Sequence, residues 1–156
     1  MRKVLIITHL AHASPRIPGL AKYLPEFGWQ PIILTAPMGG NQDLHFRVVE
    51  TPYRDALGFW KRLFRLNPDE DIRRQVKKRF GVTSKKSLMD FILTRVGEIG
   101  NYPDGDRGWK PFAEKAGDEL LQKEAIDAII SSSAPVTSHL IAKELKTKHK
   151  VPWIAD

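Results

Sequence analysis

The chain has 156 residues, of which 42% are hydrophobic and 28% are charged, proportions typical of a soluble globular protein. It contains no cysteine, which excludes disulfides, thiol catalysis and cysteine-ligated metals. The net charge of +7 indicates an anionic partner, and nucleic acid, an acidic membrane surface and a phosphorylated ligand all fit it.

Apolar runs and helical spacings alternate along the first fifty residues. The run at 4–7 is only four residues long, too short for a signal peptide or a membrane span, so we expect a cytoplasmic protein. Apolar strands are predicted at 4–7, 31–35 and 46–50, with a helix over 17–24 between the first two. This order predicts the first half of a doubly wound α/β fold with a parallel sheet.

The loop after the first strand contains the first candidate site, because ligands bind at the carboxyl ends of parallel strands. His9, His12 and Ser14 are candidates to contact a substrate. The two histidines could form a metal pair, but no nearby carboxylate completes a ligand set, and we expect no metal. Arg16 either binds a phosphate or carboxylate or is simply solvated. The loop has neither Gly-x-Gly-x-x-Gly nor a P-loop, so dinucleotide and ATP binding have no motif support.

Residues 52–124 interrupt the alternation with predicted helices, which indicates a helical insert after the third strand. Within it, segment 57–66 alternates bulky apolar side chains with three cations. The pattern fits a helix lying in a bilayer interface, and it also fits an amphipathic core helix with a solvated basic side. On the first interpretation, the residues that contact a membrane or an acceptor are Phe59, Trp60, Lys61, Arg62, Phe64 and Arg65.

A second candidate site follows the predicted strand at 128–130. Three serines and Pro135 lead from this strand into a helix predicted over 136–148. Such a turn would present free backbone N–H groups, serine hydroxyls and the positive end of a helix dipole, which suits an anion or a sugar hydroxyl. Alternatively, Ser131, Ser132 and Ser133 only end a strand and cap a helix.

His139 lies one turn into this predicted helix. It is either a surface histidine or lines the same cleft as the serines, where a histidine can exchange a proton near neutral pH. A Ser-His-Asp hydrolase is disfavoured because the chain has no Gly-x-Ser-x-Gly elbow. A last strand is predicted over 151–156, and we expect the chain to be a fragment because that strand has no covering helix.

Two blocks of the sequence together resemble the amino-terminal domain of bacterial group 1 (family 4) glycosyltransferases, which have the GT-B fold. The first is Arg16-x-x-x-Leu20-Ala-Lys-Tyr-Leu-Pro-x-x-Gly28-Trp-x-Pro-x-x-Leu34-Thr. The second is Ser132-Ser-x-Pro-x-x-Ser-His-Leu-Ile-Ala142, followed by Val151-Pro-Trp-Ile-Ala-Asp156.

The resemblance implies that residues 1–156 form the Rossmann-like, acceptor-side domain of a glycosyltransferase, with a parallel sheet of about five strands. Such an enzyme transfers a sugar from a nucleotide-sugar to a saccharide or lipid-linked acceptor in cell-surface polysaccharide synthesis, without a metal or other cofactor. A carboxyl-terminal domain outside this sequence would hold most of the donor, so the fragment alone is expected to be inactive. The positions that the resemblance assigns to the cleft are Arg16, Ser132, Ser133, Pro135, His139 and Asp156.

Among these, His139 and Asp156 are the candidate catalytic residues. The expected partners are the donor, the acceptor and an anionic membrane at the cytoplasmic face, with no nucleic acid. Two other functions stay open on the sequence alone. One is a non-enzymatic module that binds a membrane or nucleic acid through its basic stretch, and the other is a free-standing nucleotide-binding α/β protein.

Overall fold

The computed structural model describes residues 1–11, 15–39, 45–54 and 104–156. Two short 3-10 turns, Leu24–Phe27 and Gly105–Trp109, accompany the main elements of these ranges. In chain order, those elements are β1 (Arg2–Ile7), α1 (Arg16–Tyr23), β2 (Trp29–Thr35), β3 (Arg47–Glu50), α2 (Lys110–Lys123), β4 (Ala128–Ser131), α3 (Thr137–His149) and β5 (Trp153–Ala155).

The five strands form one sheet in the order β3-β2-β1-β4-β5, and every neighbouring pair is parallel. The predicted Rossmann-like α/β fold is therefore confirmed. Each predicted strand, and each of the helices predicted over 17–24 and 136–148, begins and ends within two residues of the observed bounds. Most of the predicted helical insert lies outside the described residues, and α2 is its last helix.

Residues 4–7 of the central strand β1 are all apolar and buried, because helices cover both faces of the sheet there. Leu5 and Ile7 pack in the layer that contains α2 and α3, whereas Val4 and Ile6 pack in the layer that contains α1. Successive side chains of a strand point to opposite faces, so a strand covered on both sides needs apolar residues at every position. The same reasoning accounts for the buried run Ile32–Leu34 in β2.

Trp109 connects the segment before α2 to the sheet. Its side chain is fully buried, and its indole N–H donates a 2.7 Å hydrogen bond to the Thr51 hydroxyl. That hydroxyl in turn donates to the Thr35 carbonyl, 3.2 Å away at the end of β2. Trp109 is the last residue of the 3-10 turn that leads into α2.

Glu124 joins three elements at the amino end of the sheet. Its carboxylate accepts a 2.7 Å hydrogen bond from the Lys3 ammonium and a 2.6 Å hydrogen bond from the Arg47 guanidinium. These two bonds, that of Lys3 first, hold the pKa of the Glu124 carboxyl below its ordinary value. The folded protein is therefore stabilised above the ordinary pKa, and this contribution is lost as the pH falls through the lowered one.

We expect Glu124→Gln to lower Tm at about pH 7 and to have a smaller effect at about pH 3, because the contribution of the charged carboxylate decreases as the pH falls toward and through its lowered pKa. Thermal melts of both proteins at the two pH values measure this. The matched control is Glu119→Gln, which removes an exposed carboxylate that pairs with Lys123 at 3.5 Å and should change Tm little at either pH. An equal loss of Tm at both pH values for Glu124→Gln would show that charge is not the cause.

Candidate functional site

The two candidate loops open at the same edge of the sheet. His9 follows the end of β1, the three serines end and follow β4, and these two strands are neighbours that run in parallel. Asp156 follows the adjacent strand β5. The carboxyl edge of β1, β4 and β5 therefore brings together candidates from both ends of the sequence. His12 and Ser14 lie outside the described residues.

His139 is held between two serines. Its Nδ1 lies 2.7 Å from the Ser131 hydroxyl and its Nε2 lies 3.0 Å from the Ser133 hydroxyl. The indole N–H of Trp153 donates to the Ser131 hydroxyl at 2.8 Å, so the single proton of that hydroxyl is available for Nδ1. His139 is half-buried, whereas Ser133 is exposed at the edge of the sheet. Its predicted catalytic role stays a prediction.

Asp156 pairs with Arg16, which begins α1. The carboxylate accepts a 2.7 Å hydrogen bond from the Arg16 guanidinium and a 3.0 Å hydrogen bond from the Ser132 hydroxyl. Ser132 is buried, whereas Asp156 and Arg16 are exposed. Arg16 thus binds a carboxylate of its own chain, and this pair joins α1 to the turn that follows β4. Its expected contact with a substrate stays a prediction.

The prediction that the serine-proline turn offers free backbone N–H groups is wrong at four positions. The N–H groups of Ser132 and Ser133 donate to carbonyls of β1 and of Asp156, at 3.1 and 3.2 Å. At the start of α3, the Thr137 N–H donates to the Asp104 carboxylate and the Ser138 N–H donates to the carbonyl of Pro135. A carboxylate of the chain itself caps α3, which satisfies donors that sequence reasoning assigned to a ligand.

Pro135 does not occupy the first turn of the helix, since α3 begins two residues later at Thr137. It is buried beneath the turn, and its carbonyl accepts the 3.2 Å bond from Ser138. Within the structure as described, Pro135 therefore shapes the turn. A direct contact between Pro135 and a substrate stays a prediction.

His9 forms a pair with a carboxylate that sequence analysis missed. Its Nδ1 lies 3.3 Å from a carboxylate oxygen of Asp106, and the His9 residue is only 8% exposed. The ring of Trp109 lies beside it, with 6.3 Å between the ring centroids. The two partners are 97 residues apart in sequence, so no local motif signals the pair. A carboxylate on Nδ1 directs the imidazole and favours the tautomer with the proton on that nitrogen.

The turn that bears Asp106 is tied at several points. The Asp104 carboxylate accepts a 3.0 Å bond from the Asp106 N–H, and the Tyr53 hydroxyl donates to the Gly105 carbonyl at 2.9 Å. Trp109 fixes the far end of the turn through Thr51. Both ends of the turn are therefore hydrogen-bonded to the rest of the described chain. The Asp106 side chain thus extends from a turn whose backbone is held in place.

Two further expectations concern metal and membrane. Among the described residues, no group of three or more histidine or acidic side chains is placed to hold a metal ion. The same ranges contain no helix that is long and apolar enough to cross a bilayer. The segment expected to contact a membrane, residues 59–65, lies outside the described part of the chain.

The fold is similar to solved structures of two different enzyme classes. The carboxyl-terminal domain of a hydrogenase from Pyrococcus furiosus matches with a TM-score of 0.53 and 17% identity, over 99% of this chain and 90% of that one. CalG4, the calicheamicin glycosyltransferase, matches with a TM-score of 0.52 and 15% identity. The match covers 99% of this chain but only 32% of CalG4. No protein-family model matches the sequence, and no curated protein matches it.

The chain therefore has a GT-B-like α/β fold that is also found in a domain of a hydrogenase. At such low identities the likeness extends to the fold alone. Because one fold supports many activities, the function has to be argued from the site.

Proposed function

We propose that this chain is the acceptor-side domain of a glycosyltransferase that transfers a sugar from a nucleotide-sugar to a hydroxyl of a saccharide or lipid-linked acceptor. The observation that carries the proposal is the pair of the buried His9 and the half-buried Asp106 at the carboxyl end of β1. Transfer to a hydroxyl needs a base at the reacting oxygen, and a histidine held by a carboxylate is well suited to that task. The carboxyl edge of a parallel sheet is where such a base meets a ligand.

In this reaction the acceptor oxygen attacks the anomeric carbon of the donor sugar while His9 takes the hydroxyl proton through Nε2. The bond between the anomeric carbon and the diphosphate oxygen breaks, and the nucleoside diphosphate leaves with the electron pair. Asp106 stabilises the imidazolium that forms, because its carboxylate faces Nδ1. The displacement is direct and uses no metal.

The serine turn supplies contacts for the acceptor in this proposal. Ser133 is exposed beside His139, and Asp156 lies at the same edge with its carboxylate held by Arg16. Hydroxyls and carboxylates of this kind can hydrogen-bond sugar hydroxyls and orient one of them toward His9. A second domain would hold most of the nucleotide-sugar. The basic segment 57–66 would rest on an anionic membrane at the cytoplasmic face when the acceptor of polysaccharide synthesis is lipid-linked.

We expect sugars to bind the isolated chain at this edge. In a titration with methyl glycosides of common hexoses, followed by ¹H–¹⁵N NMR, the shifts should concentrate at His9, Ser133 and His139. Ser133→Ala should weaken the binding, whereas Lys143→Ala, an exposed position further along α3, should leave it unchanged. If UDP or GDP binds this edge and the glycosides do not, the chain is a nucleotide-binding protein and the proposal fails.

We also expect the chain alone to release no nucleoside diphosphate from UDP- or GDP-sugars, because catalysis needs both walls of the cleft to hold donor and acceptor together. A coupled assay for the released diphosphate, with the glycosides present, measures this. Steady turnover by the isolated chain would contradict the assignment to one half of a two-domain enzyme.

A further inference from the structure

The Asp104 carboxylate joins the start of α3 to the turn that bears Asp106. One of its oxygens, Oδ2, accepts a 2.7 Å hydrogen bond from the Thr137 N–H. The other, Oδ1, accepts a 2.6 Å bond from the Thr137 hydroxyl and a 3.0 Å bond from the Asp106 N–H. Three donors from two separate elements therefore converge on a single side chain.

Thr137 is a fixed anchor for this carboxylate. It is fully buried and is the first residue of α3, a helix of 13 residues that packs against β1 and β4. The positive end of the helix dipole stabilises a negative charge at this position. Because the backbone N–H and the hydroxyl of Thr137 both donate to Asp104, the carboxylate has little freedom to rotate or to leave the helix end.

The backbone of Asp106 is held by this anchored carboxylate. Two further hydrogen bonds of the turn are made by other residues, through the Gly105 carbonyl and the Trp109 indole. The direction of the Asp106 side chain depends on its own backbone, and the 3.3 Å distance from Asp106 to His9 leaves little room for displacement. If the turn could shift by a fraction of an ångström, the contact between Asp106 and His9 would be lost.

We propose that Asp104 is a positioning residue, which fixes Asp106 on Thr137 so that the Asp106 carboxylate stays paired with Nδ1 of His9. The inference deepens the proposed function, since it concerns the base of that same site, and it goes beyond a helix cap. A cap only stabilises α3, whereas a positioning residue also determines the tautomer of His9. The two roles therefore differ in a measurable property.

The experiment measures the tautomer of His9 in the full 156-residue chain by side-chain ¹⁵N NMR, at about pH 8, where a histidine is usually neutral. In the wild type, pairing with Asp106 should keep the proton on Nδ1, although a histidine in water prefers it on Nε2. Asp106→Asn gives the reference for a lost pair. Asp104→Asn and Thr137→Val should both shift the proton population toward that reference, whereas Thr137→Ser should retain the wild-type tautomer.

The matched control is Asp118→Asn, which removes a carboxylate that bonds His149 at the opposite end of α3. It should lower Tm as Asp104→Asn does and leave the His9 tautomer unchanged. If Asp104→Asn lowers Tm but His9 keeps its proton on Nδ1, Asp104 is only a helix cap and the inference fails. Should Asp104→Asn not fold, Thr137→Val alone decides, since it leaves the carboxylate and the helix backbone in place.

Failure of the proposed function gives a different result. If His9 of the wild type itself carries its proton on Nε2, the pair with Asp106 is absent in solution. The proposed role of His9 as the base and the proposed role of Asp104 are then both refuted. If the wild type shows the paired tautomer but Asp104→Asn does not change it, only the role of Asp104 is lost.

Discussion

Replacing Trp109 by alanine is expected to lower the free energy of unfolding by about 3–5 kcal/mol, the usual cost of removing a large buried aromatic side chain. Trp109 is the largest fully buried side chain of the described residues, and it packs among residues from the sheet, α2 and α3. The truncation would also leave the Thr51 hydroxyl without its donor. Urea denaturation followed by far-UV circular dichroism measures the loss.

Trp109→Phe separates the two contributions. Phenylalanine keeps most of the apolar contact and loses the N–H, so we expect a loss of about 1–3 kcal/mol. Phe27→Ala is the control, because this side chain is 76% exposed and its removal should change stability by less than about 0.5 kcal/mol. Equal losses for the alanine and phenylalanine variants at position 109 would mean that the hydrogen bond, and not the packing, is the main contribution.

The fold could be predicted because its signals are local. The apolar run at 4–7 indicates a strand covered on both faces, and a predicted helix after it implies a parallel neighbour. The spacing of side chains in α1 and α3 gave their bounds for the same reason. Periodicity reports which side of an element is buried, and that is sufficient to predict layers and strand direction.

The site was predicted only in part, because its contacts are not local. His9 and Ser133 were expected at one edge, since each follows a strand of a parallel sheet. Asp106 was not expected, because nothing in the sequence around it indicates a partner 97 residues away. Asp104 was missed for the same reason, and the helix end it caps was assigned to a ligand. A pattern can identify a helix terminus that needs an acceptor but cannot say which residue supplies it.

Gly117 shows how closely α2 approaches α3. A glycine inside a helix costs about 1 kcal/mol relative to alanine, so its place in α2 needs a reason. A Cβ at position 117 would overlap Cδ1 of Leu145 and would lie 3.4 Å from a methyl carbon of Leu34. Both leucines are buried, so neither can move aside without disturbing the core. The glycine allows α2 to approach both α3 and the sheet strand β2 closely.

Gly117→Val is therefore expected to lower the free energy of unfolding by about 3 kcal/mol through overpacking and poorer helix propensity. Leu145→Ala alone should cost about 2–5 kcal/mol, because it opens a cavity at the same place. In the double variant the valine fills part of that cavity, so the combined loss should be smaller than the sum by about 1–3 kcal/mol. Urea denaturation of the wild type, the two single variants and the double variant gives the double-mutant cycle.

Gly19→Ala is the matched control, since this glycine also lies inside a helix, α1, but a Cβ there would meet no atom within 4 Å. It should stabilise the protein by up to about 1 kcal/mol, because the steric cost is absent and the gain in helix propensity remains. Strictly additive losses for Gly117→Val and Leu145→Ala would show that the two positions are not in contact. The close approach of α2 and α3 over β2 would then be refuted, since that contact is what requires a glycine in the middle of the helix.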